Sequence, residues 1–217
     1  MIIHNLGTQN SVLNQFITEI RDVNVQNDAM RFRRNIERIG EILSYELSKT
    51  LTYKDKMVQT PLGSKIVGLP ENDLVLCSVL RAGITLHQGL LNYFDAAENA
   101  FISAYRHHPE NSDEFEVIVK YFASPSLTKK TLVLTDPMLA TGKTLENTFN
   151  ALKSHGIPKQ IHIISVIGSK DGVDYVDTIF PESTHLWIAA IDEKLSSKGY
   201  IIPGLGDAGD LSFGPKL

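Results

Sequence analysis

Cysteine is nearly absent. Cys77 is the only one in 217 residues, so no intramolecular disulfide can form, and a reducing compartment is expected. It lies in the apolar run Leu74–Leu80 and reads as a small buried hydrophobe rather than a nucleophile. No stretch reaches the roughly 18 consecutive apolar residues of a membrane span. The opening Met-Ile-Ile-His-Asn has neither a basic segment nor a long apolar one, so no secretory signal is expected and the localisation reads as cytoplasmic. Neither sign of charge dominates. With 21 basic and 25 acidic residues the formal net charge is −4, which gives no general attraction to nucleic acid or to a membrane. Internal repeats and low-complexity tracts are missing too. What remains is an ordinary globular composition, 42% hydrophobic and 21% charged, at a length suited to one domain.

Residues 11–20 and 30–48 carry helical spacing. In the second, Ile36, Ile39, Ile42/Leu43 and Leu47 recur with Arg33, Arg34, Glu37, Arg38 and Glu41 between them. Thr60-Pro61-Leu62-Gly63-Ser64 reads as a turn. Strands and helices then alternate: strands at Leu74–Val79, Ala100–Tyr105, Thr131–Thr135, Ile161–Ile167 and Leu186–Ile191, and helices at Ile84–Phe94, 143–154 and near 172–179. A β-rich run, Phe115–Phe122, is separated from the strand before it by the polar stretch Arg106–Glu114, expected as a hairpin or flexible arm. The alternation predicts an α/β fold with a mainly parallel sheet flanked by helices. Ligands are then expected beyond the carboxyl ends of the strands.

Three loops follow those ends. Leu80-Arg81-Ala82-Gly83 follows one strand and Arg106 another. The third is Asp136-Pro137-Met138-Leu139-Ala140-Thr141-Gly142-Lys143-Thr144. In this last one a buried strand ends in a carboxylate, and a small-residue loop then opens directly into a helix. Backbone N–H groups and the positive end of the helix suit a phosphate, and the acid suits sugar hydroxyls. Together they describe a site for a phosphorylated sugar.

Gly142-Lys143-Thr144 also ends a P-loop pattern. Its first glycine is replaced by Pro137, whose fixed φ is incompatible with that loop's first turn. Trp187–Asp192 is the apolar strand and acid that such a nucleoside-triphosphate enzyme would use to hold magnesium. In the tail, Gly204-Leu205-Gly206-Asp207-Ala208-Gly209 spells G-x-G-x-x-G. With only eight residues after it, the long helix of a dinucleotide site is missing. A glycine-rich loop still offers main-chain groups at close range, which suits a flat polar heterocycle. His107-His108 with Glu110 lacks the spacing of a metal site.

Three blocks together resemble the phosphoribosyltransferases, and within them the uracil phosphoribosyltransferase family. They are Val79–Gly83, Asp136–Gly142, and Gly199–Asp210 with Phe213-Gly214 after it. Arg31–Arg34, Leu43–Glu46, Thr60-Pro61 and Tyr121-Phe122 add weaker support, so the resemblance runs from about residue 20 to the C-terminus. It implies one phosphoribosyltransferase domain over 1–217, with N-terminal helices at about 10–50, a core at about 66–192, and a C-terminal hood for the base at about 193–217. The implied reaction is transfer of the 5-phosphoribosyl group from phosphoribosyl pyrophosphate (PRPP) to N1 of uracil, giving UMP and diphosphate in pyrimidine salvage.

Residue by residue, the resemblance implies that Asp136, Pro137, Met138, Leu139, Ala140, Thr141, Gly142, Lys143 and Thr144 hold the ribose 5-phosphate. Asp136 would face ribose hydroxyls. Arg81 and Arg106 would contact the diphosphate. Ile201, Gly206, Asp207 and Ala208 would bind uracil, largely through backbone groups, with Asp207 also facing the donor. Arg81, Asp136 and Asp207 are the expected catalytic residues. Mg²⁺ is the expected cofactor, held mainly by substrate rather than by a protein metal site. The resemblance also implies a homodimer or higher homo-oligomer; GTP is an allosteric effector of some members of the family, and the sequence leaves open whether it acts on this one. Two departures stand out: Lys143 in place of a small residue, and Arg106-His107-His108-Pro109-Glu110 in place of an acidic-polar continuation. One rival is a regulatory protein that keeps the fold and binds nucleotide or RNA without turnover. The net acidity argues against it.

Overall fold

In a computed structural model the chain is described over residues 1–71, 73–107 and 116–215, with backbone only at 104–107 and 116–120. Its centre is β4 (Leu74–Leu80), and every residue but the last in this strand is buried. The strand is covered on both faces, so it reads as a continuous apolar run instead of an alternation. Side-chain direction still alternates beneath that run. Leu74 and Leu76 pack with α1 (Leu13–Arg21), α2 (Ala29–Ser48) and α3 (Gly83–Leu91). Val75, Cys77 and Val79 pack on the opposite face with α4 (Lys143–Leu152) and α5 (Lys170–Ile179).

On one side of β4 lies β7 (Thr131–Thr135), followed by β9 (Gln160–Ser169), β10 (His185–Asp192) and β1 (Ile2–Asn5). On its other side lie β5 (Glu98–His107) and then β6 (Glu116–Ala123). All of these pairs are parallel except β5 with β6, and a short β8 (Met138–Leu139) joins β9 beyond the end of β7. The predicted α/β architecture is the one observed.

Several elements lie outside the predicted alternation of strands and helices. β1 is four residues long and is a strand only because it lies on β10 in register Ile2↔His185. The turn at Thr60–Ser64 joins a hairpin of β2 (Tyr53–Thr60) and β3 (Gly63–Pro70), exposed along its whole length. Neither strand has a buried face, so neither shows an apolar alternation. The large sheet therefore takes up the chain again at Leu74. After β10 the chain makes a small ladder of β11 (Lys194–Leu195) and β12 (Ile201–Ile202), then a short α6 (Ala208–Phe213). β5 runs through Arg106, which pairs with Val117, so this arginine lies inside a strand and not beyond one. The arm expected at Arg106–Glu114 lies mostly outside the described residues, as does the His108-Pro109 departure.

α2 and α3 cross closely at two glycines. A Cβ on Gly89 would stand 2.3 Å from the Glu37 carbonyl oxygen, and one on Gly40 2.8 Å from that of Leu86. No described helix is long and apolar enough to cross a membrane.

Candidate active site

β4 and β7 are neighbours, and the loops at their carboxyl ends therefore lie side by side. Each loop feeds a helix whose N-cap has no capping side chain: Ala82 before α3 and Gly142 before α4. α1, which starts away from this edge after Val12, also lacks a capping side chain, whereas α2, α5 and α6 are capped by Asp28, Ser169 and Asp207. Two helix N-termini thus face the same edge of the sheet with no side chain of the N-cap residue on them. They are held by the Arg81 carbonyl, which accepts from Ile84 N–H at 3.1 Å, and by a long contact of Lys143 N–H to Thr141 Oγ1 at 3.5 Å, and such a helix start is suited to an anion.

The loop before α4 is held from behind. The Pro137 carbonyl accepts from both Val166 N–H and Ile167 N–H at 3.0 Å. Met138 N–H donates to Asp136 Oδ1 at 3.2 Å, which orients the carboxylate at the strand end. Ser169 Oγ donates to the Ala140 carbonyl at 2.6 Å and accepts from Gly172 N–H at 2.9 Å. Gly142 has φ 77°, a left-handed conformation, and a Cβ there would lie 2.8 Å from Tyr175 Cδ1. Only glycine meets both demands without strain. Tyr175 is itself fixed, donating to Glu146 Oε2 at 2.7 Å, and this bond is the main cause of its raised pKa.

Arg81 stands at the end of β4, after a cis Leu80–Arg81 peptide. Its Nη2 donates to Asp210 Oδ1 at 2.9 Å and to the Gly214 carbonyl at 3.2 Å. Both acceptors belong to the C-terminal segment, so the segment expected to receive the base folds directly onto the arginine. Asp207 Oδ1 caps α6 by accepting from Asp210 N–H at 3.0 Å. Arg33 of α2 donates to the Ser212 carbonyl at 2.7 Å and holds the far end of that helix.

Arg81, Asp136, Thr141–Thr144 and Asp207 thus come from strand ends and from the hood, and the fold gathers them at one edge. Leu139 and Ala140 are core residues, so their side chains face inward and their share in any loop contact is through backbone. Ile201 is likewise buried by its side chain, as is Ala208, whereas Gly206 is exposed at φ 93°. The side chain of Arg106 lies outside the described residues. Arg21, Arg33, Ser169, Tyr175 and Asp210 were not singled out as site residues by sequence. Each acts on a partner far along the chain, and no local pattern marks such a role.

Cys77 is buried in the core, and burial raises its thiol to about 12. That removes it from any nucleophilic role at neutral pH. Among the described residues no group of three His, Cys, Asp or Glu side chains is placed to hold a metal ion.

A family model described as uracil phosphoribosyltransferase matches residues 7–215. The uracil phosphoribosyltransferase of Porphyromonas gingivalis is 50% identical over 216 residues, covering 100% of this chain and 99% of that protein. The one from Pyrococcus furiosus is 36% identical over 203 residues, covering 92% and 85%. Among solved structures, the AQ2163 protein from Aquifex aeolicus is similar with a TM-score of 0.87 at 29% identity, over 98% of each chain. A hypoxanthine phosphoribosyltransferase from Staphylococcus aureus shares the fold, with a TM-score of 0.50 at 17% identity over 86% of this chain and 84% of that one. A sheet with two open helix ends, the donor-loop block and the hood block therefore occur together in a chain that belongs to the uracil phosphoribosyltransferase family.

Proposed function

We propose that the edge beyond β4 and β7 is the active site in which this uracil phosphoribosyltransferase transfers the phosphoribosyl group of PRPP to N1 of uracil. The observation that carries the assignment is that the starts of α3 and α4, neither with a capping side chain, lie side by side after the paired strands β4 and β7, one beside Arg81 and one behind Asp136. PRPP has two anionic ends joined by a ribose, and the two helix ends match them. The 5-phosphate lies on the loop Thr141–Thr144 at α4. The diphosphate lies toward Arg81 and α3. Asp136, between them, faces the ribose hydroxyls.

Departure of diphosphate builds positive charge at the anomeric carbon and negative charge on the leaving group. Arg81 stabilises the latter, and the fixed loops hold the sugar so that uracil N1 meets the anomeric carbon. The base is held by backbone groups of Ile201, Gly206, Asp207 and Ala208. A backbone N–H and C=O paired with a uracil carbonyl and N3–H would be mismatched to cytosine, at about 1–3 kcal/mol for each unpaired buried group. Asp136 and Asp207 are hard oxygen donors that would contact a Mg²⁺ carried mainly by the diphosphate, while the third acid here, Asp210, is engaged by Arg81. When bound, the ion supplies charge neutralisation on the leaving group.

The hairpin β2–β3 supports a homo-oligomer. Met57, Leu62, Ile66 and Leu69 are exposed on a two-stranded arm that packs on no core of its own. Light scattering on the purified chain measures the assembly state, and a monomer at all concentrations would reject it.

The test of function is incubation with uracil, PRPP and Mg²⁺, with UMP and diphosphate measured together and each component omitted in turn. UMP at one equivalent of diphosphate is expected, with cytosine a poor substitute. Equal turnover of the two bases would reject main-chain selection.

A further inference from the structure

Asp192 ends β10 at the edge of the sheet that carries the donor loops. Arg21, the last residue of α1, meets its carboxylate with two parallel bonds, Nη1 to Oδ2 at 2.8 Å and Nη2 to Oδ1 at 2.9 Å. The same two side chains then take both sides of Gly204. Its N–H donates to Asp192 Oδ2 at 3.0 Å, and its carbonyl accepts from Arg21 Nη1 at 3.0 Å. Side-chain exposure is 21% for Arg21 and 9% for Asp192, so the arrangement is largely withdrawn from water.

Gly204 has φ 60°, and a Cβ on it would stand 2.1 Å from the Ile201 carbonyl oxygen. The position therefore requires glycine, the residue with the most backbone freedom. Capture of both its peptide groups by one ion pair removes that freedom. The arginine end is fixed in turn, since Gln26 Nε2 donates to the carbonyls of Ile20 at 3.3 Å and Arg21 at 3.0 Å. A pair this buried adds little net stability over apolar packing. What it does is select one orientation of the chain between Ile201 and Gly206.

We propose that Arg21 and Asp192 are the positioning residues of the base subsite: by holding Gly204 from both sides they aim the backbone of Ile201 and Gly206–Ala208 at uracil. This rests on the assignment of that segment to the base. The carboxylate that a P-loop reading would give to magnesium thus serves recognition of the acceptor.

The test is steady-state kinetics with uracil and PRPP varied separately, on wild type, Arg21→Ala, Arg21→Lys and Asp192→Asn, each with its thermal midpoint. Arg21→Ala is expected to raise the KM for uracil about tenfold or more, the loss of charge-assisted hydrogen bonds. The KM for PRPP should stay within about twofold, as for a separate subsite. Preference for uracil over cytosine should fall in parallel, Asp192→Asn should be intermediate, and Arg21→Lys should recover part of the loss. A uracil KM within about twofold of wild type in both Arg21→Ala and Asp192→Asn would overturn the proposal. So would an equal rise in both KM values. If Arg21→Ala does not fold, Asp192→Asn, which keeps shape and an acceptor oxygen, decides by the same criteria. Wild type that makes no UMP would instead reject the uracil assignment, and the wild-type arm reports that separately.

Discussion

Acid should weaken this protein through one buried histidine. His162 on β9 is fully buried, and its Nδ1 accepts from Trp187 Nε1 at 3.1 Å. An indole nitrogen only donates, so the imidazole proton sits on Nε2. That atom is buried with no acceptor among the described residues. A second proton would have to enter at Nδ1 and break the Trp187 bond. Burial, followed by the neighbouring His185 and His4, accordingly lowers the group from 6.5 to about 3. The sign follows from linkage: the folded state resists the proton that the unfolded chain accepts. The contribution is therefore fully present above the unfolded value of 6.5, and it is lost progressively as pH falls from there to about 3. Between pH 7 and pH 5 the loss comes to about 2 kcal/mol, or roughly 4–8 °C in melting temperature for a chain of this size. His4 and His185 share the neighbourhood, with an Nε2 to Nδ1 contact of 3.0 Å, and both are lowered mainly by burial. The assay is urea unfolding of wild type and His162→Asn at pH 7, 6 and 5. Asparagine keeps an acceptor for Trp187 and does not titrate. The variant should start less stable and lose about 2 kcal/mol less than wild type on acidification. Parallel pH slopes would refute the reasoning.

Three further outcomes are expected. Gly142→Ala forces a side chain into left-handed backbone and onto Tyr175; it should lower stability by about 2 kcal/mol or more and raise the KM for PRPP, measured by unfolding and kinetics together. Arg81→Ala should reduce kcat/KM by about a hundredfold or more, as for loss of a donor to a developing anion. Its melting temperature should barely change, because its half-exposed pair with Asp210 is worth only about 0–1 kcal/mol; a large melting shift with normal turnover would assign it a structural role. Gly89→Ala improves helix propensity yet places a methyl group against the Glu37 carbonyl, so a net loss of about 1–3 kcal/mol is expected in urea unfolding, and a gain would contradict the close helix crossing.

The strands that build the sheet were legible where they are covered on both faces. Leu74–Leu80 and Thr131–Thr135 are apolar runs because each is flanked by other strands and by helices. β1 and the β2–β3 hairpin were not legible, for opposite reasons. β1 is too short to carry a period and depends on β10, more than 180 residues away in sequence. The hairpin is long enough but exposed on both sides, so burial imposes no alternation. The donor loop was readable because strand, acid, glycine and helix start are contiguous. The hood clamp was not, because Arg21, Asp192 and Gly204 come from three separate stretches, and each alone has an ordinary reading.

The sequence by itself determined the fold class, the order of strand and helix around the donor loop, the inertness of Cys77 and the three blocks that mark the family. These are properties of contiguous residues, where propensity, turn chemistry and spacing act over one or two turns of chain. Only the tertiary structure decided that the helix ends after β4 and β7 open side by side, that Arg81 meets the hood through Asp210, and that Asp192 binds Arg21 and Gly204. Those facts depend on which strands become neighbours. That choice is made by burying two apolar faces at once, a condition no single segment contains.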